Sequence, residues 1–446
     1  MRARIGFLTI AIACLAAAPA LAQDPAPRDT ALVLPDPDDH PDWPQPPPRT
    51  DLSVTERVLG GIARLLQKPF EMTGTALEGT LIPIEEERGG FATGLAAAAV
   101  PREKKRFSYS GGSIGTRSGF LGAGLRYDAL GGDEGPQLGA TAAATNRGYH
   151  TITAFAGWND PAERPYGRIT GYYDLDTMDE FWGIGTDTDE DDETDFSWEK
   201  TGAIAAVGLP EQRGIWGQAY VTYERTSVFG GYQVDKPDLG EIFPEHDFSA
   251  VTIWGPGATV ALDFRDQTGF PKSGFLLQGT GEMWRSVEGP DAEWIRWAAE
   301  ASGHVPLGSY WHILSLKAGV DVAEPDQDDG FIPFPYLPKL GGSQTLRGFP
   351  GWRFRDRAAA YGTAELRWRL WEEHTRDPGT GGAMEAALFY DVGAVAPELG
   401  DIDFGDREDS YGVLGRFYVL GGHLMTFGVG LGGDAPRFVF TTSNIW

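Results

Sequence analysis

The residues that could carry out catalysis are few in this chain and lie far apart. Its seven histidines show no spacing typical of metal ligands, and the zinc-protease pattern H-E-x-x-H does not occur. A hydrolase built into a barrel would need a serine or an aspartate beside a histidine near the rim, an alternative that the sequence leaves open. We therefore predict no catalytic residues and no enzyme activity.

An acidic run is the stretch whose residue types could bind a metal ion. Seven carboxylates fall between Asp187 and Asp195. As a calcium loop of the EF-hand type the run fails, because Asp192 stands where glycine is required and Trp198 where the bidentate glutamate is required. We predict a solvated loop with no metal and no cofactor. The alternative is a loose divalent-cation site that bridges lipopolysaccharide phosphates.

The composition limits the class of protein. The formal net charge of −27 argues against nucleic acid as a partner, because such binding depends on Lys and Arg neutralising phosphates. Beyond the N-terminal segment no apolar run approaches the ~18 residues that a membrane-spanning helix needs. The chain has many glycines and aromatic residues, yet its mean hydropathy is negative. The alternating strands of a transmembrane barrel average out to such a mildly polar composition.

The N-terminus has the composition of a secretory signal peptide, predicted for residues 1–22. Two arginines precede an apolar stretch, and Ala20-Leu21-Ala22 provides a small-residue cleavage site. The single cysteine, Cys14, lies inside the stretch, and a lipoprotein acylation site there is the alternative. Cleavage after Ala22 would leave a mature protein without disulfides or thiolate metal sites.

Two further segments are predicted ahead of the main body of the chain. Residues 23–50 are rich in Pro and Asp, which predicts a mostly disordered linker. Residues 51–105 are predicted to be a short periplasmic segment with one helix, because Val58, Ile62 and Leu65 recur at helical spacing. This helix could pack at the periplasmic mouth of a barrel, lie on the membrane surface or bind a partner.

From Arg106 onward the sequence alternates between strands and turns. In the segment 361–370, Glu365 and Arg367 lie on one face, while the other face is small or apolar. Charges in the middle of one strand face are typical of a barrel whose other face lies in lipid. Short turns also alternate with long acidic loops, as expected for periplasmic turns and extracellular loops. We predict an outer-membrane β-barrel over residues 106–446.

Sixteen strands are predicted, an even number that places both chain ends in the periplasm. The expected fold class is all-β, a 16-stranded antiparallel transmembrane β-barrel. Its last residues carry an aromatic pattern, Phe438, Phe440 and Trp446, that resembles the C-terminal signal of outer-membrane proteins. The predicted strands are 106–116, 118–129, 137–146, 149–159, 165–176, 194–210, 213–227, 250–267, 273–285, 293–305, 309–323, 359–372, 383–395, 409–420, 422–432 and 436–445.

Two motifs go beyond a generic barrel. The first consists of Asp263, Arg265 and Asp266, followed by Pro271 and Gly274, and the second is the stretch 340–349, which ends in Arg347, Gly348 and Phe349. They resemble the D-x-R-D…P-x-x-G turn and the inward-folded loop with an R-G-[FY] tip of the BamA/TamA-type outer-membrane assembly superfamily, also called the bacterial surface antigen family. Residues 361–366 and 389–393 resemble the two strands that follow this loop. The resemblance covers residues 105–446.

The resemblance implies a network inside the lumen. In the family the loop arginine bonds to acids on the two following strands, so Arg347 is expected to meet Glu365 and Asp391. The strand alternation independently places both carboxylates on the lumen face, and a buried guanidinium needs such partners. The network could hold the loop as a plug, or it could hold a gate or a substrate-insertion seam. Asp263 and Arg265 are expected to clamp a periplasmic turn.

The resemblance also implies a place and a role. Assembly factors of this family carry periplasmic POTRA domains, and residues 24–105 show no convincing pattern for one, so the chain resembles a POTRA-less member. It is expected to be integral to the bacterial outer membrane and to act in membrane biogenesis or translocation without catalysis. The expected partners are lipid, lipopolysaccharide and either a periplasmic protein or an unfolded outer-membrane protein. The alternative is a passive, porin-like channel.

Overall fold

The computed structural model of the chain describes residues 97–98, 106–114, 121–130, 136–145, 150–159, 164–188, 192–210, 214–231, 237, 239–243, 247–266, 271–309, 311–327, 330–372, 382–419, 422–433 and 435–441. The predicted signal peptide, the predicted linker, the predicted helix and Trp446 lie outside the described residues. Those predictions stay predictions.

The described residues form one large antiparallel sheet, one small hairpin and one short helix. The helix α1 is Leu239–Ile242, and single 3-10 turns lie at Phe334–Tyr336 and Leu399–Asp401. No helix in the described part of the chain is long and apolar enough to cross a membrane. The strands are β1 Ala97–Ala98, β2 Arg106–Ile114, β3 Leu121–Leu130, β4 Pro136–Thr145, β5 His150–Trp158, β6 Tyr166–Phe181, β7 Thr194–Gly208, β8 Gly214–Gly230, β9 Val251–Asp263, β10 Gly274–Glu288, β11 Glu293–Pro306, β12 His312–Pro325, β13 Lys339–Leu340, β14 Phe354–Arg355, β15 Ala358–Glu372, β16 Gly382–Ala396, β17 Glu408–Val419, β18 Gly422–Leu431 and β19 Arg437–Thr441.

Each strand of the large sheet pairs with its neighbour in sequence. The pairing runs from β2 to β12, passes from β12 to β15, and continues to β19, while β13 and β14 form the separate hairpin. The all-β antiparallel fold predicted from the alternation is confirmed. The register pairs among the described residues include none between β19 and β2. Closure into a barrel and the count of sixteen barrel strands therefore stay predictions.

Three strands end at least three residues later than the sequence predicted. β6, β8 and β10 end at Phe181, Gly230 and Glu288, whereas the predicted strands ended at 176, 227 and 285. The last residues of β6 pair irregularly with β7, with a register shift between Asp176 and Asp179. These extensions stand beside the loops at the same end of the sheet, and the side chain of Phe181 is fully buried there.

The two ends of the sheet differ in the length of their connections. The short-turn end carries connections such as residues 307–311 between β11 and β12, and both the start of β2 and the end of β19 lie at this end. The long-loop end carries the connection between β12 and β15, which contains the β13–β14 hairpin. We call the described part of that connection, residues 330–357, the inner loop.

The sheet curves around the inner loop. Tyr336 donates a hydrogen bond to Glu224 on β8 (2.7 Å), whereas Gly348 lies against the backbone of Leu431 on β18. Eight strand steps separate β8 from β18, which would be about 38 Å in a flat sheet. The eleven residues between Tyr336 and Gly348 contain several turns, so both contacts require the strands to wrap around the loop. Inward and outward side chains then alternate along every strand.

Candidate functional site

The tip of the inner loop, residues 346–349, lies against the inward faces of β15 to β18. Arg347 donates from Nε and from its backbone amide to Asp391 Oδ2, at 2.9 and 3.0 Å. Its Nη2 also pairs with Asp391, and its Nη1 pairs with Glu365. All three side chains are buried from solvent. The structure thus brings together the three charged residues that the sequence singled out.

The two carboxylates are held by further donors from the sheet. These donors are Arg416 Nη2 to Glu365 Oε1 at 2.7 Å, and Thr363 Oγ1 and Ser410 Oγ to Asp391 at 3.0 Å each. Each carboxylate therefore has at least two side-chain donors, which offsets the cost of its burial. The Arg347 guanidinium also lies 4.0 Å from the centroid of the Phe389 ring. The tip is fixed in position as well as neutralised in charge.

Gly348 allows the loop tip to rest on the backbone of β18. A Cβ atom at this position would lie 2.6 Å from the Leu431 carbonyl carbon, closer than real Cβ contacts allow. Gly430 faces the tip in the same way, since a Cβ there would lie 2.5 Å from the Arg347 carbonyl oxygen. The adjacent Phe349 is buried and packs edge-on against Phe354 of β14. The R-G-F motif therefore combines a charge, a close backbone contact and an apolar anchor.

A second buried network lies nearer the short-turn end, and sequence reasoning missed it. We call Arg367, Arg369, Glu385 and Tyr418 the lower network. Arg367 Nη2 donates to Glu385 at 2.9 Å, Arg369 Nη2 lies 2.7 Å from Glu385 Oε1, and Tyr418 donates to Glu385 Oε2 at 2.6 Å. The sequence signal for this network was the pair Arg367 and Arg369, which lie two residues apart on the strand face that also carries Glu365.

The turn motif after β9 is connected to the lower network. Arg265 binds Asp263 with two donors, at 2.9 and 2.6 Å, while Asp266 Oδ1 accepts from the backbone amide of Lys272 at 2.9 Å. The Pro271 carbonyl accepts a hydrogen bond from Arg367 Nη1 at 2.9 Å. The prediction treated this turn and the luminal residues as separate sites, but one arginine joins them.

Gly274 ends this turn in a conformation that other residues rarely adopt. Its φ angle is +96°, and a Cβ atom would lie 2.2 Å from the Phe264 carbonyl oxygen. Phe264 and Phe275 then pack against each other on the outward side, with centroids 5.2 Å apart. Glycine is therefore required here both by the backbone angle and by the close approach of the preceding strand.

Tyrosines on β6, β8 and β15 reach over a glycine on the neighbouring strand to an acid one strand further on. Tyr172 on β6 crosses Gly202 on β7 and donates to Glu224 on β8. The same arrangement recurs twice, as Tyr220–Gly257–Glu282 and as Tyr361–Gly319–Glu300. We call these three-strand contacts tyrosine staples. Sequence reasoning missed them because each requires the register of three strands, which a single sequence does not supply.

An aromatic cluster closes the space between the inner loop and the long-loop end. Arg355 of β14 lies 5.5 to 5.8 Å from the ring centroids of Phe334, Phe181 and Phe196. Its backbone carbonyl accepts a hydrogen bond from the amide of Gly185, at 2.8 Å. The inner loop is thereby held at its root by the β6–β7 loop and at its tip by the bonds of Arg347 to Glu365 and Asp391.

The described residues at this site include no arrangement suited to nucleophilic catalysis. One G-x-S-x-G stretch occurs, from Gly111 to Gly115, but Ser113 lies within β2 and pairs with Gly122 of β3. The nucleophile elbow of a hydrolase instead requires a sharp strand-to-helix turn. No group of three metal-ligating side chains comes together among the described residues. The central residues of the acidic run, 189–191, lie outside them.

The C-terminal residues enter the sheet as its last strand. Phe438 pairs with Val429 and its side chain is exposed on the outward side, while Phe440 pairs with Phe427. Five register pairs join β18 to the described part of β19.

Comparisons with known proteins give a family match and several similar solved structures. The model of the Omp85 superfamily domain matches residues 157–440. The chain is similar to the solved structure of BamA from Haemophilus ducreyi lacking POTRA domains 1-3, with 14% identity over 84% of this chain and 76% of that one, and a TM-score of 0.53. It is also similar to CdiB from Escherichia coli (13% identity, 78% and 66% covered, TM-score 0.48) and to CdiB from Acinetobacter baumannii (12%, 79% and 58%, 0.38). A search of the curated proteins found no match.

Proposed function

Because the chain belongs to the Omp85 superfamily, we propose that it is an integral outer-membrane barrel that assembles or translocates polypeptides without chemical catalysis. In this proposal the large sheet closes into a barrel of sixteen strands, its short-turn end faces the periplasm and its long-loop end faces outward. Lipid and lipopolysaccharide surround the outward side chains. An unfolded outer-membrane protein or a secreted polypeptide is the substrate, which a periplasmic protein partner could deliver.

The buried Arg347 network is the observation that carries the proposal. The inner loop crosses the concave side of the sheet, and its tip is bonded to Glu365 and Asp391 in the middle of β15 and β16. A porin-like channel needs an open lumen, whereas this loop occupies the space that a channel would use. The proposal therefore treats the loop as a plug that keeps the barrel closed at rest.

The polar end of the sequence supports a seam that opens. The described part of β19 pairs with β18 as far as Thr441. The sequence that follows, Thr442, Ser443 and Asn444, is polar. In the proposal, β19 separates from β2 more readily than other neighbours separate, and a substrate strand enters or leaves the membrane there.

Conductance across a planar lipid bilayer tests the proposal. We expect the purified wild-type protein to be nearly closed, with brief and irregular openings, and Arg347→Ala to conduct steadily. Arg285→Ala is the matched control, because Arg285 pairs with Glu293 at an exposed position and is 61% exposed itself. Its conductance should equal that of the wild type.

Two other outcomes would count against the plug. Equal and large conductance in wild type and Arg347→Ala would favour the passive channel. Equal and negligible conductance would show that the arginine does not hold the barrel closed. A separate assay, in which the protein in lipid vesicles is offered an unfolded outer-membrane protein, tests assembly directly: faster folding of that substrate than in empty vesicles supports the proposal.

A further inference from the structure

Strand β2 has a neighbour on each of its two edges. Along one edge it pairs with β3 over nine residues. On its other edge, Ala97 lies opposite Ser110 and Ala98 lies opposite Tyr109, in antiparallel register. Among the described residues, β1 is the strand that pairs with this second edge, and it belongs to the part of the chain that precedes the barrel.

We infer that residues 97–98 are a built-in occupant of the outer edge of β2, which shields this edge until a longer strand displaces them. The inference rests on the proposed function, in which the seam between the first and last barrel strands accepts a substrate strand. It adds that the chain supplies its own weak strand to the place where a substrate would pair.

An unoccupied edge would be unfavourable for this protein. The edge of a sheet presents a row of unpaired N–H and C=O groups that recruits other extended chains, and natural proteins cover such edges. Two paired residues cover the middle of β2, at Tyr109 and Ser110. The register pairs among the described residues show no further partner for β2 on this edge, which leaves positions where a competing strand can begin to pair.

The occupant is weak by itself but is held close by the chain. Each hydrogen bond in such a pairing adds only a small net stabilisation, and a two-residue strand forms very few. Seven residues, 99–105, connect Ala98 to the start of β2, so the local concentration of the segment is in the millimolar range. This tether keeps the edge occupied, whereas a strand that pairs along the whole of β2 would bind more strongly and displace the segment.

The sequence of the segment suits a replaceable occupant. Residues 95–100 read Leu-Ala-Ala-Ala-Ala-Val, and alanine is depleted in stable strands because it offers little side chain for packing. β2 itself contains Gly111 and Gly112. Because β1 contributes only alanines to its two pairs, it offers little that would fix its register, and it can therefore release without disturbing its neighbours.

A disulfide tests whether the segment lies on this edge. Ala98→Cys with Tyr109→Cys, made in the full chain with Cys14→Ser, joins directly opposed residues, whose Cα spacing of about 4.5–5.5 Å suits a disulfide. Tyr109→Cys with Arg126→Cys is the positive control, because these residues are register partners on β2 and β3. Ala98→Cys with Arg126→Cys is the negative control, since these residues are two strands apart.

A peptide tests whether the segment shields the edge. The probe is a synthetic peptide of residues 436–446, with a photoreactive phenylalanine in place of Phe440, offered to the purified protein in detergent. We expect the disulfide-locked protein to capture several-fold less peptide on β2 than its reduced form. Ala97→Pro with Ala98→Pro, which removes both amide donors, should capture several-fold more, and Ala92→Pro should behave as wild type.

The outcomes separate this inference from the proposed function. Failure of the 98–109 disulfide to form, while the positive control forms, would overturn the inference and leave the proposed function standing. A disulfide that forms without lowering peptide capture would overturn the shielding role. No capture by any variant, including the double proline, would contradict a strand-accepting edge and with it the seam of the proposed function, although the disulfide would still report where the segment lies.

Discussion

Two walls of the same sheet stabilise their inward-facing charged side chains in different ways. On β15, β16 and β17, which we call the arginine wall, Glu365, Arg367 and Glu385 have no solvent-exposed surface. On β6 to β11, the tyrosine wall, acids such as Glu224 are buried too, but basic side chains remain partly in contact with solvent: Arg296 is 37% exposed and Lys200 is 25% exposed. The inner-loop tip rests on the first wall and on the adjoining strand β18.

The difference separates charges that depend on their partners from charges that water can also solvate. Fully buried ions depend on their partners, because removing one partner leaves an uncompensated charge that costs about 3–5 kcal/mol. Partly solvated pairs contribute about 0–1 kcal/mol, since water replaces a lost partner. The tyrosine staples therefore stabilise the wall mainly through ring packing over glycine, and the arginine wall through electrostatics.

The largest expected effect is the loss of the carboxylate that two arginines share. Glu365→Gln leaves Arg347 and Arg416 buried without that charge, so we expect the free energy of unfolding to fall by about 3–5 kcal/mol. Glu282→Gln, a carboxylate on the tyrosine wall, should lower it by less than about 1 kcal/mol. Urea titration of both variants in the same detergent measures the difference. Equal losses would show that the two walls do not differ in this way.

A somewhat smaller effect is expected from a methyl group at the loop tip. Gly348→Ala places a Cβ against the backbone of Leu431, and such overpacking typically costs about 1–3 kcal/mol. The tip should shift away from β18 and the barrel should conduct more often in bilayers. Gly400→Ala is the control, because a Cβ there meets nothing within 4 Å. Wild-type conductance in Gly348→Ala would contradict the close backbone contact.

Next in size is the connection between the lower network and the turn. Arg367→Lys keeps the charge but loses the forked guanidinium that reaches both Glu385 and the Pro271 carbonyl. Faster hydrogen exchange is expected at the amides of Lys272 and Ser273. Arg225→Lys, whose arginine pairs with Glu288 in an exposed position, should leave these amides unchanged. Unchanged exchange in Arg367→Lys would mean that the turn is held by its own residues alone.

The smallest expected effect is on a tyrosine staple. Tyr172→Phe removes the hydroxyl that donates to Glu224 but keeps the ring over Gly202, so the loss should be about 0.5–1.5 kcal/mol. Tyr223→Phe is the control, because Tyr223 is an outward residue with half of its surface exposed. A loss in Tyr172→Phe as large as that in Glu365→Gln would overturn the distinction between the walls.

Much of the fold could be predicted from the sequence because the two-residue alternation of side chains along a strand is a local property. An alternation of two places Glu365 and Arg367 on one face whatever the neighbouring strands do, and the turn residues mark where each strand ends. The extension of β6 to Phe181 was not predictable in this way. Its last residues pack against a loop that is more than a hundred residues away in sequence.

The residues of the site could be predicted from the sequence only where they belong to a recognisable motif. Arg347 was identified through the R-G-F tip, and its acids through the two strands that resemble the family. Arg416 and Tyr418 were missed because their roles depend on which residues face them across β16. The same limit applies to Ala97 and Ala98, since a short alanine run does not by itself predict a strand.

The contact between Gly348 and β18 ties the interior of the molecule to the edge of its sheet. If the last two strands move outward, Gly348 has to separate from Gly430 and Leu431, and the bonds of Arg347 on β15 and β16 resist that movement. Release of the loop and spreading of the edge are therefore linked equilibria, and such linkage acts equally in both directions. A force applied to either one lowers the work needed for the other.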